Sequence, residues 1–123
     1  MAGLRRWDRG VKSPPIRRGD LWWISLDPTQ GSKIKKTRPC LILSHDTLNR
    51  LRKTVVVIPF STAASVHPPI TVPVSCQGKK AVAIIDQIRA VAKHRLKNKI
   101  ETIDSDELEA VENAVTEILE LTR

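Results

Sequence analysis

Residues that could do chemistry stand where the short apolar runs of this sequence begin or end. They are Asp20, Arg38, Ser61, Thr62, Asp86, Gln87 and Arg89. If the strands between them curl, such side chains converge, so that carboxylates can move protons and arginines can neutralise a phosphate. Taken singly, each residue also fits a plain role as a turn former, a strand terminator or a surface charge.

Metal and nucleotide chemistry find no support in the spacing of residues. The possible soft ligands are Cys40, Cys76, His45, His67 and His94, and they form no CxxC or HxxxH pair. The sequence also contains no GxGxxG or Walker-type run. We therefore expect neither a metal nor a cofactor.

The charge is uneven along the 123 residues, whose formal net charge is +8. Residues 1–100 carry 20 basic and 5 acidic side chains, and residues 101–123 carry 1 basic and 8 acidic ones. A basic surface attracts a polyanion or an acidic protein segment. Excess lysine and arginine can equally serve solubility alone.

Composition places the chain among small one-domain proteins, with 41% hydrophobic residues. Runs of apolar residues are too short for a membrane span, and no apolar region follows the basic start. Two cysteines are too few for a disulfide framework. We expect a reduced, cytoplasmic protein without membrane contact.

The first segment, 1–17, is basic and contains the pair Pro14-Pro15, which prevents a helix or an inner strand. Two interpretations stay open, an arm that touches phosphates and a mobile leader. We place the folded domain at 18–123.

The elements that must position the polar residues are short strands. The apolar runs predict five to seven of them, over 21–26, 39–44, 54–58, 70–75, 81–85, 88–92 and 98–103. Pro73 cannot donate to a ladder and indicates an edge strand. A helical turn is expected over 46–50. The lack of alternating strands and helices argues against a parallel, doubly wound sheet.

The last segment predicts an amphipathic helix of about sixteen residues. Asp104 and Glu107 stand at capping-box spacing. The apolar face comprises Leu108, Val111, Val115, Ile118 and Leu119, and the acidic residues should form a solvated face. We therefore expect a mainly β protein, a small SH3-like twisted barrel with one C-terminal α-helix over a face.

Several phrases of the sequence resemble the MazF/PemK/Kid family of toxin ribonucleases. The opening phrase runs from Arg18-Gly19-Asp20 through Asp27-Pro28-Thr29-Gln30-Gly31-Ser32 to Thr37-Arg38-Pro39. Further matches are Leu43-Ser44, Asn49-Arg50, the stretch 57–62 and Asp86-Gln87-Ile88-Arg89. The resemblance extends from about Arg18 to Leu121.

The resemblance implies an SH3-like barrel that dimerises and cleaves single-stranded RNA without a metal. In such chemistry the ribose 2′-OH attacks the adjacent phosphorus, which yields a 2′,3′-cyclic phosphate and a 5′-OH. It also implies a cognate, acidic MazE-like antitoxin that blocks the RNA groove.

By the same resemblance, Arg38 stabilises the transition state, and Ser61 hydrogen-bonds the phosphate or the 2′-OH. Asp20 and Asp86 match acids that serve as bases or positioning groups. The residues expected to bind RNA are Lys33, Lys35, Lys36, Thr37, Thr62, Gln87 and Arg89.

Lys33 departs from the family, which commonly has Glu after the Gly-Ser pair. Three interpretations stay open: a loop that binds phosphate more strongly, a weakened toxin that only binds RNA or antitoxin, and an attenuating change introduced for expression. A further alternative is a CcdB-like poison of DNA gyrase, which binds a protein and cleaves nothing. The Arg38-Pro39 phrase favours the ribonuclease.

Overall fold

The computed structural model describes residues 15–26 and 37–121. Within these ranges the chain forms seven strands and two helices. The strands are β1 (Asp20–Ser25), β2 (Thr37–Ile42), β3 (Thr54–Ser61), β4 (Thr71–Cys76), β5 (Lys79–Ile84), β6 (Arg89–Ala92) and β7 (Leu96–Thr102). The helices are α1 (Asp46–Leu51) and α2 (Ser105–Ile118), and short 3-10 turns flank β6 at Ile85–Gln87 and Lys93–Arg95.

The strands form one antiparallel sheet in the order β4-β5-β3-β2-β1-β7. The long strand β3 serves two neighbours on the same edge, since its first half pairs with β6 and its last two residues pair with β5. This shared edge curls the sheet. β4 lies at an edge, as Pro73 indicates. The prediction of a mainly β fold with a C-terminal helix is confirmed.

The bounds of β2 and β3 differ from the predicted apolar runs, and both differences concern the polar residues. β2 begins at Thr37, so that Arg38 lies inside a strand. Pro39 is tolerated there because pairing of β2 with β3 begins only at Cys40. β3 continues to Ser61, because β5 supplies partners for Phe60 and Ser61.

Apolar side chains cover both faces of the central strands. On one face, Leu21, Ile58 and Phe60 pack with Val111 of α2. On the other, a second cluster contains Trp22, Ile24, Cys40, Ile42, Val55, Val57 and Val91. Because successive side chains of a strand alternate between faces, β1 to β3 are buried on both sides. They form the rigid part of the molecule that carries the polar rim.

A network of polar contacts joins β1 to both helices. The Arg18 N–H donates to Asp46 Oδ1 at 2.7 Å, and its Nε donates to the Leu43 carbonyl at 2.9 Å. The same guanidinium lies 2.6 Å from Glu112 of α2. Ser44 and Asn49 bond each other and are buried. These contacts give a structural reason for the Arg-Gly-Asp and Leu-Ser phrases.

Asp104 caps helix α2, as its position predicts, by accepting from the Asp106 N–H at 3.2 Å. The helix differs from its prediction at Glu107, Glu112 and Leu119. Glu107 turns away from the capping box and accepts from Ser75 instead, and Glu112 pairs with Arg18, so the acidic face is not wholly solvated. Leu119 is 48% exposed, because the helix ends at Ile118 and Leu119 is its C-cap.

Of the predicted N-terminal arm, residues 1–14 lie outside the described ranges. Ile16 packs against the second apolar cluster, and the Arg17 N–H donates to Asp20. The end of the predicted arm is therefore attached to the fold.

Candidate functional site

A groove of about 610 Å³ opens at the end of the sheet where β2 begins and β3 ends. The described residues that line it include Arg38, Ser61, Thr62 and two lysines of β5, Lys79 and Lys80. None of its described lining residues is acidic. The groove therefore presents a positive surface to a ligand.

Strand pairing brings Arg38 and Ser61 together. Cys40 of β2 lies opposite Pro59 of β3. Extending this register by two residues along each strand places Arg38 and Ser61 on the same face of the sheet, and both residues line the groove. A guanidinium and a hydroxyl that are 23 positions apart in the sequence thus share one rim.

The Ser61 hydroxyl shapes the exit from β3. Its Oγ accepts from the N–H groups of Ala63 at 3.1 Å and Ala64 at 3.3 Å. A serine hydroxyl has one proton to donate and two lone pairs. Both of these bonds use the oxygen as acceptor, so the proton remains available to a ligand oxygen in the groove.

Asp20 is not among the residues that line the groove. Asp20 is the first residue of β1 and pairs with Thr102 of β7. Arg38 pairs with Ile24, which lies near the other end of β1. The carboxylate is 2% exposed. Oδ2 accepts from the Arg17 N–H at 3.0 Å and from Trp22 Nε1 at 3.4 Å. Oδ1 lies 3.4 Å from Lys99 Nζ.

The Asp86-Gln87-Ile88-Arg89 phrase lies on the far edge of β3. Asp86 and Gln87 are exposed on the turn before β6, and Arg89 pairs with Val57. None of the three polar residues lines the groove. Asp86 and Gln87 therefore lie apart from the groove, whereas Arg89 is close to Cys40, the thiol on which the charge of Arg38 also acts.

The buried Cys40 thiol reports on two of the arginines. Burial raises the pKa of Cys40 to about 12, and the positive charges of Arg38 and Arg89 oppose this shift. Both guanidinium groups are therefore close enough to Cys40 to act on it. Burial also raises the pKa of Cys76, which lines the groove. Neither thiol is set up as a nucleophile.

Lys33, Lys35 and Lys36 lie outside the described residues. Thr37, which follows them in the chain, lines the groove together with the exposed Thr62.

The lining residues that were not expected from the sequence include Trp23, Gln77, Lys79 and Lys80. Two signals could have indicated them. Gln77-Gly78 between two apolar runs is a two-residue hairpin turn, and both residues have positive φ, 54° and 75°. The lysine pair follows directly. Trp23 is the second residue of a Trp pair in an alternating strand, where one ring must face away from the other.

The part of the chain that the structure describes holds no group of three His, Cys, Asp or Glu side chains that could bind a metal. Neither of its helices has the length and apolar character needed to cross a bilayer.

A sequence profile of the family described as "PemK-like, MazF-like toxin of type II toxin-antitoxin system" matches residues 17–119. This chain belongs to that family. A curated relative from Staphylococcus epidermidis, Endoribonuclease MazF, is 33% identical over 106 residues, which cover 81% of this chain and 88% of the relative. The prediction of a MazF-type endoribonuclease toxin is thereby confirmed at the level of the family.

Solved structures of MazF-like proteins share the fold. A MazE-MazF complex from Deinococcus radiodurans aligns with a TM-score of 0.77 at 21% identity and covers 89% of this chain and 100% of that one. An endoribonuclease in complex with its cognate antitoxin, from Mycobacterial species, aligns with a TM-score of 0.74 at 19% identity, covering 88% and 98%. At these identities the likeness supports the architecture.

Proposed function

We propose that this PemK/MazF-family chain is a cytoplasmic endoribonuclease toxin that cleaves single-stranded RNA at short sequences. The observation that carries the proposal is the placement of Arg38 and Ser61 on the rim of a groove whose described lining residues include no acid. A polyanion is the ligand that such a surface favours. The family membership of the chain points to the same activity.

The proposed reaction uses the substrate's own 2′-OH as nucleophile. A bond forms between the 2′-oxygen and phosphorus while the bond from phosphorus to the 5′-oxygen breaks. The 2′-OH proton goes to a base, and the leaving 5′-oxygen takes up a proton. The products are a 2′,3′-cyclic phosphate and a 5′-OH, and no metal takes part.

Arg38 and Ser61 would act on the phosphate. The planar guanidinium of Arg38 binds two phosphate oxygens at once and stabilises the charge that builds on them in the transition state. Ser61 donates its hydroxyl proton to a phosphate oxygen or orients the 2′-OH. Both groups lie on the rim where a strand of RNA entering the groove would pass.

The two acids take different parts in this proposal. The Asp20 carboxylate is buried and already occupied by Arg17, Trp22 and Lys99, so we assign it a positioning role at the start of β1. Asp86 is exposed but does not line the groove, so it would serve as the base only if bound RNA brings the reacting 2′-OH within hydrogen-bond distance of its carboxylate.

The remaining proposed contacts hold RNA along the groove and its edges. They are Lys33, Lys35, Lys36, Thr37, Thr62, Gln87 and Arg89. We further propose a homodimer, in which two grooves serve one RNA strand, and an acidic MazE-like antitoxin that competes with RNA for the same positive surface.

Cleavage of RNA in EDTA tests the function. The wild-type chain should cut single-stranded RNA at a short motif and leave the DNA analogue intact, since DNA has no 2′-OH. Arg38→Ala should lower kcat about 10²–10³-fold, the usual cost of losing one donor to a developing oxyanion. Arg52→Ala is the matched control, because Arg52 is exposed, follows α1 and does not line the groove.

The same cleavage assay distinguishes the interpretations of Lys33. Equal rates for the wild-type chain and Lys33→Glu would discard both forms of attenuation. Intact RNA with every variant, together with trapped complexes of gyrase on DNA, would replace the ribonuclease with a gyrase poison.

A further inference from the structure

We propose that Lys80 on the β4–β5 hairpin is a further substrate-binding residue, which holds a backbone phosphate next to the scissile one. The inference rests on the proposed ribonuclease function and extends the site to a third strand. It starts from the sheet register, which assigns Lys80 and its neighbour Lys79 to opposite faces.

Strand pairing sets Lys80 on the catalytic face. Ser61 of β3 lies opposite Val82 of β5. Because side chains two residues apart share a face of a strand, Lys80 lies on the same face as Val82 and Ser61. Lys79 follows the alternate set, with Ala81 and Ala83, which belong to the apolar core.

Arg38, Ser61 and Lys80 therefore lie on three adjacent strands in the order β2-β3-β5. With about 4.8 Å between strands and 3.3 Å per residue, the Cα atoms of Arg38 and Lys80 are roughly 12 Å apart, with Ser61 between them. Two long cationic side chains at this separation suit two phosphates of one extended strand. The Arg38 guanidinium would take the scissile phosphate, and Lys80 would take a neighbouring one.

The charge of Lys80 is available to a ligand. Lys80 is exposed and lines the groove. Across residues 15–26 and 37–121 the ion pairs involve other cations, those of Arg18 and Lys99. Because Lys80 has no carboxylate partner among the described residues and the described lining of the groove includes no acid, Lys80 can bind a phosphate oxygen at little cost.

The hairpin that presents Lys80 is held at its tip. Ser75, the partner of Lys80 across the hairpin, donates its N–H to Glu107 Oε1 at 3.0 Å and its hydroxyl to Oε2 at 3.0 Å. One residue past β4, the Gln77 N–H donates to Glu101 Oε2 at 2.8 Å. Carboxylates from α2 and β7 thus fix the hairpin, and this limits the ordering entropy that RNA binding must supply.

The test measures binding of a non-cleavable 2′-deoxy analogue of a substrate oligonucleotide, by fluorescence anisotropy at several salt concentrations. Lys80→Gln should weaken binding by about 3- to 10-fold near 0.1 M salt. It should also reduce the slope of log K against log salt by about 0.7, the value for one phosphate contact on a single strand.

Two control variants distinguish a specific phosphate contact of Lys80 from a general effect of the protein's positive charge. Lys53→Gln removes an equal charge one residue before β3, roughly 26 Å along the strand from Ser61, and should leave the slope unchanged. Lys79→Gln removes the neighbouring lysine, which also lines the groove but lies on the opposite face of β5 from Ser61, and should cost less than Lys80→Gln. Equal losses in the Lys79 and Lys80 variants would overturn the assignment to one face.

Steady-state cleavage gives a second measurement. Lys80→Gln should raise KM with little change in kcat, since the phosphate that it holds is bound equally in substrate and transition state. An unchanged KM and an unchanged salt slope, with wild-type cleavage intact, would overturn the role of Lys80 and leave the ribonuclease function standing. A wild-type chain that neither binds nor cleaves RNA would overturn both.

RNA binding by Glu107 variants tests whether Glu107 anchors the β4–β5 hairpin. Removal of an acid near a nucleic-acid groove should, by charge alone, tighten RNA binding. If Glu107 fixes the strand that carries Lys80, Glu107→Ala should weaken binding, and Glu107→Gln, which keeps an acceptor for Ser75, should restore most of it. Tighter binding by Glu107→Ala would contradict the anchoring role.

The same binding measurements also test an acidic protein segment as the ligand of Lys80. If Lys80→Gln left RNA binding unchanged and weakened only the binding of an acidic antitoxin peptide, the lysine would belong to a protein interface, and the proposed phosphate contact would be wrong.

Discussion

At the scale of single residues, the site combines one fixed cation with one hydroxyl that also has a structural task. Ser61 closes the turn after β3 through Ala63 and Ala64. Its oxygen serves the fold, and its proton is left for the ligand. A substitution at this position should therefore change stability and activity together.

Ser61→Ala should lower the free energy of unfolding by about 1 kcal/mol, because two backbone donors lose their acceptor. RNA cleavage should fall roughly 10- to 100-fold for lack of the donated proton. Ser61→Thr, which keeps the hydroxyl, should retain most of both properties. Urea denaturation and the cleavage assay measure the two effects.

Thr62→Ala is the matched control, since Thr62 is the next residue, lines the groove and is exposed. It should leave stability within about 0.5 kcal/mol of wild type. Full activity and stability in Ser61→Ala would contradict both roles of the hydroxyl.

At the scale of elements, the short helix α1 is held by charge. The Arg18 N–H, followed by weaker contributions that include the Asn49 amide, lowers the pKa of the Asp46 carboxyl below its usual value. A carboxylate with a lowered pKa stabilises the fold above its unfolded pKa, and this stabilisation is lost as the pH falls through the folded pKa.

Asp46→Asn should consequently lower the urea midpoint at pH 7, and its difference from wild type should shrink as the pH falls through the lowered pKa of the folded carboxyl, which then takes up a proton and resembles the amide. Asp106→Asn gives the same change of charge in the first turn of α2 and controls for it. A difference between wild type and Asp46→Asn that stays constant from pH 7 to pH 2 would contradict this account.

At the scale of the whole molecule, several large apolar side chains remain on the surface. Leu48 and Leu51 of α1 are 47% and 71% exposed, and Val66 and Ile70 are each 48% exposed. Exposed apolar side chains that neighbour each other, as Leu48 and Leu51 do at i,i+3 spacing on α1, can mark a protein interface. They support the proposed homodimer.

Light scattering at micromolar concentration should give about 27.6 kDa, twice the 13.8 kDa of one chain. Leu51→Glu tests whether α1 takes part, because a buried charge in the interface should shift the mass toward one chain. Val66→Glu does the same for the loop before β4. A wild-type monomer at this concentration would contradict the dimer.

Local patterns in the sequence were sufficient for much of the fold. β-branched runs fix where strands such as β3 begin, and the spacing of Leu108, Val111, Val115 and Ile118 fixes the buried face of α2. The family phrases, by resemblance, pointed to Arg38 and Ser61. Such features depend on neighbours in the chain, which a sequence shows directly.

Only the tertiary structure decided which polar residues share a groove. Asp20 and Arg38 both lie near the ends of strands, but antiparallel register sets them at opposite ends of β1. Lys80 gained a place beside Ser61 because β5 pairs with the last residues of β3, a contact between residues 21 positions apart. The register of a strand and the face of each side chain depend on pairing between distant segments. The sequence therefore determined which reactive side chains are present, and the pairing of the sheet determined which of them lie together in the groove.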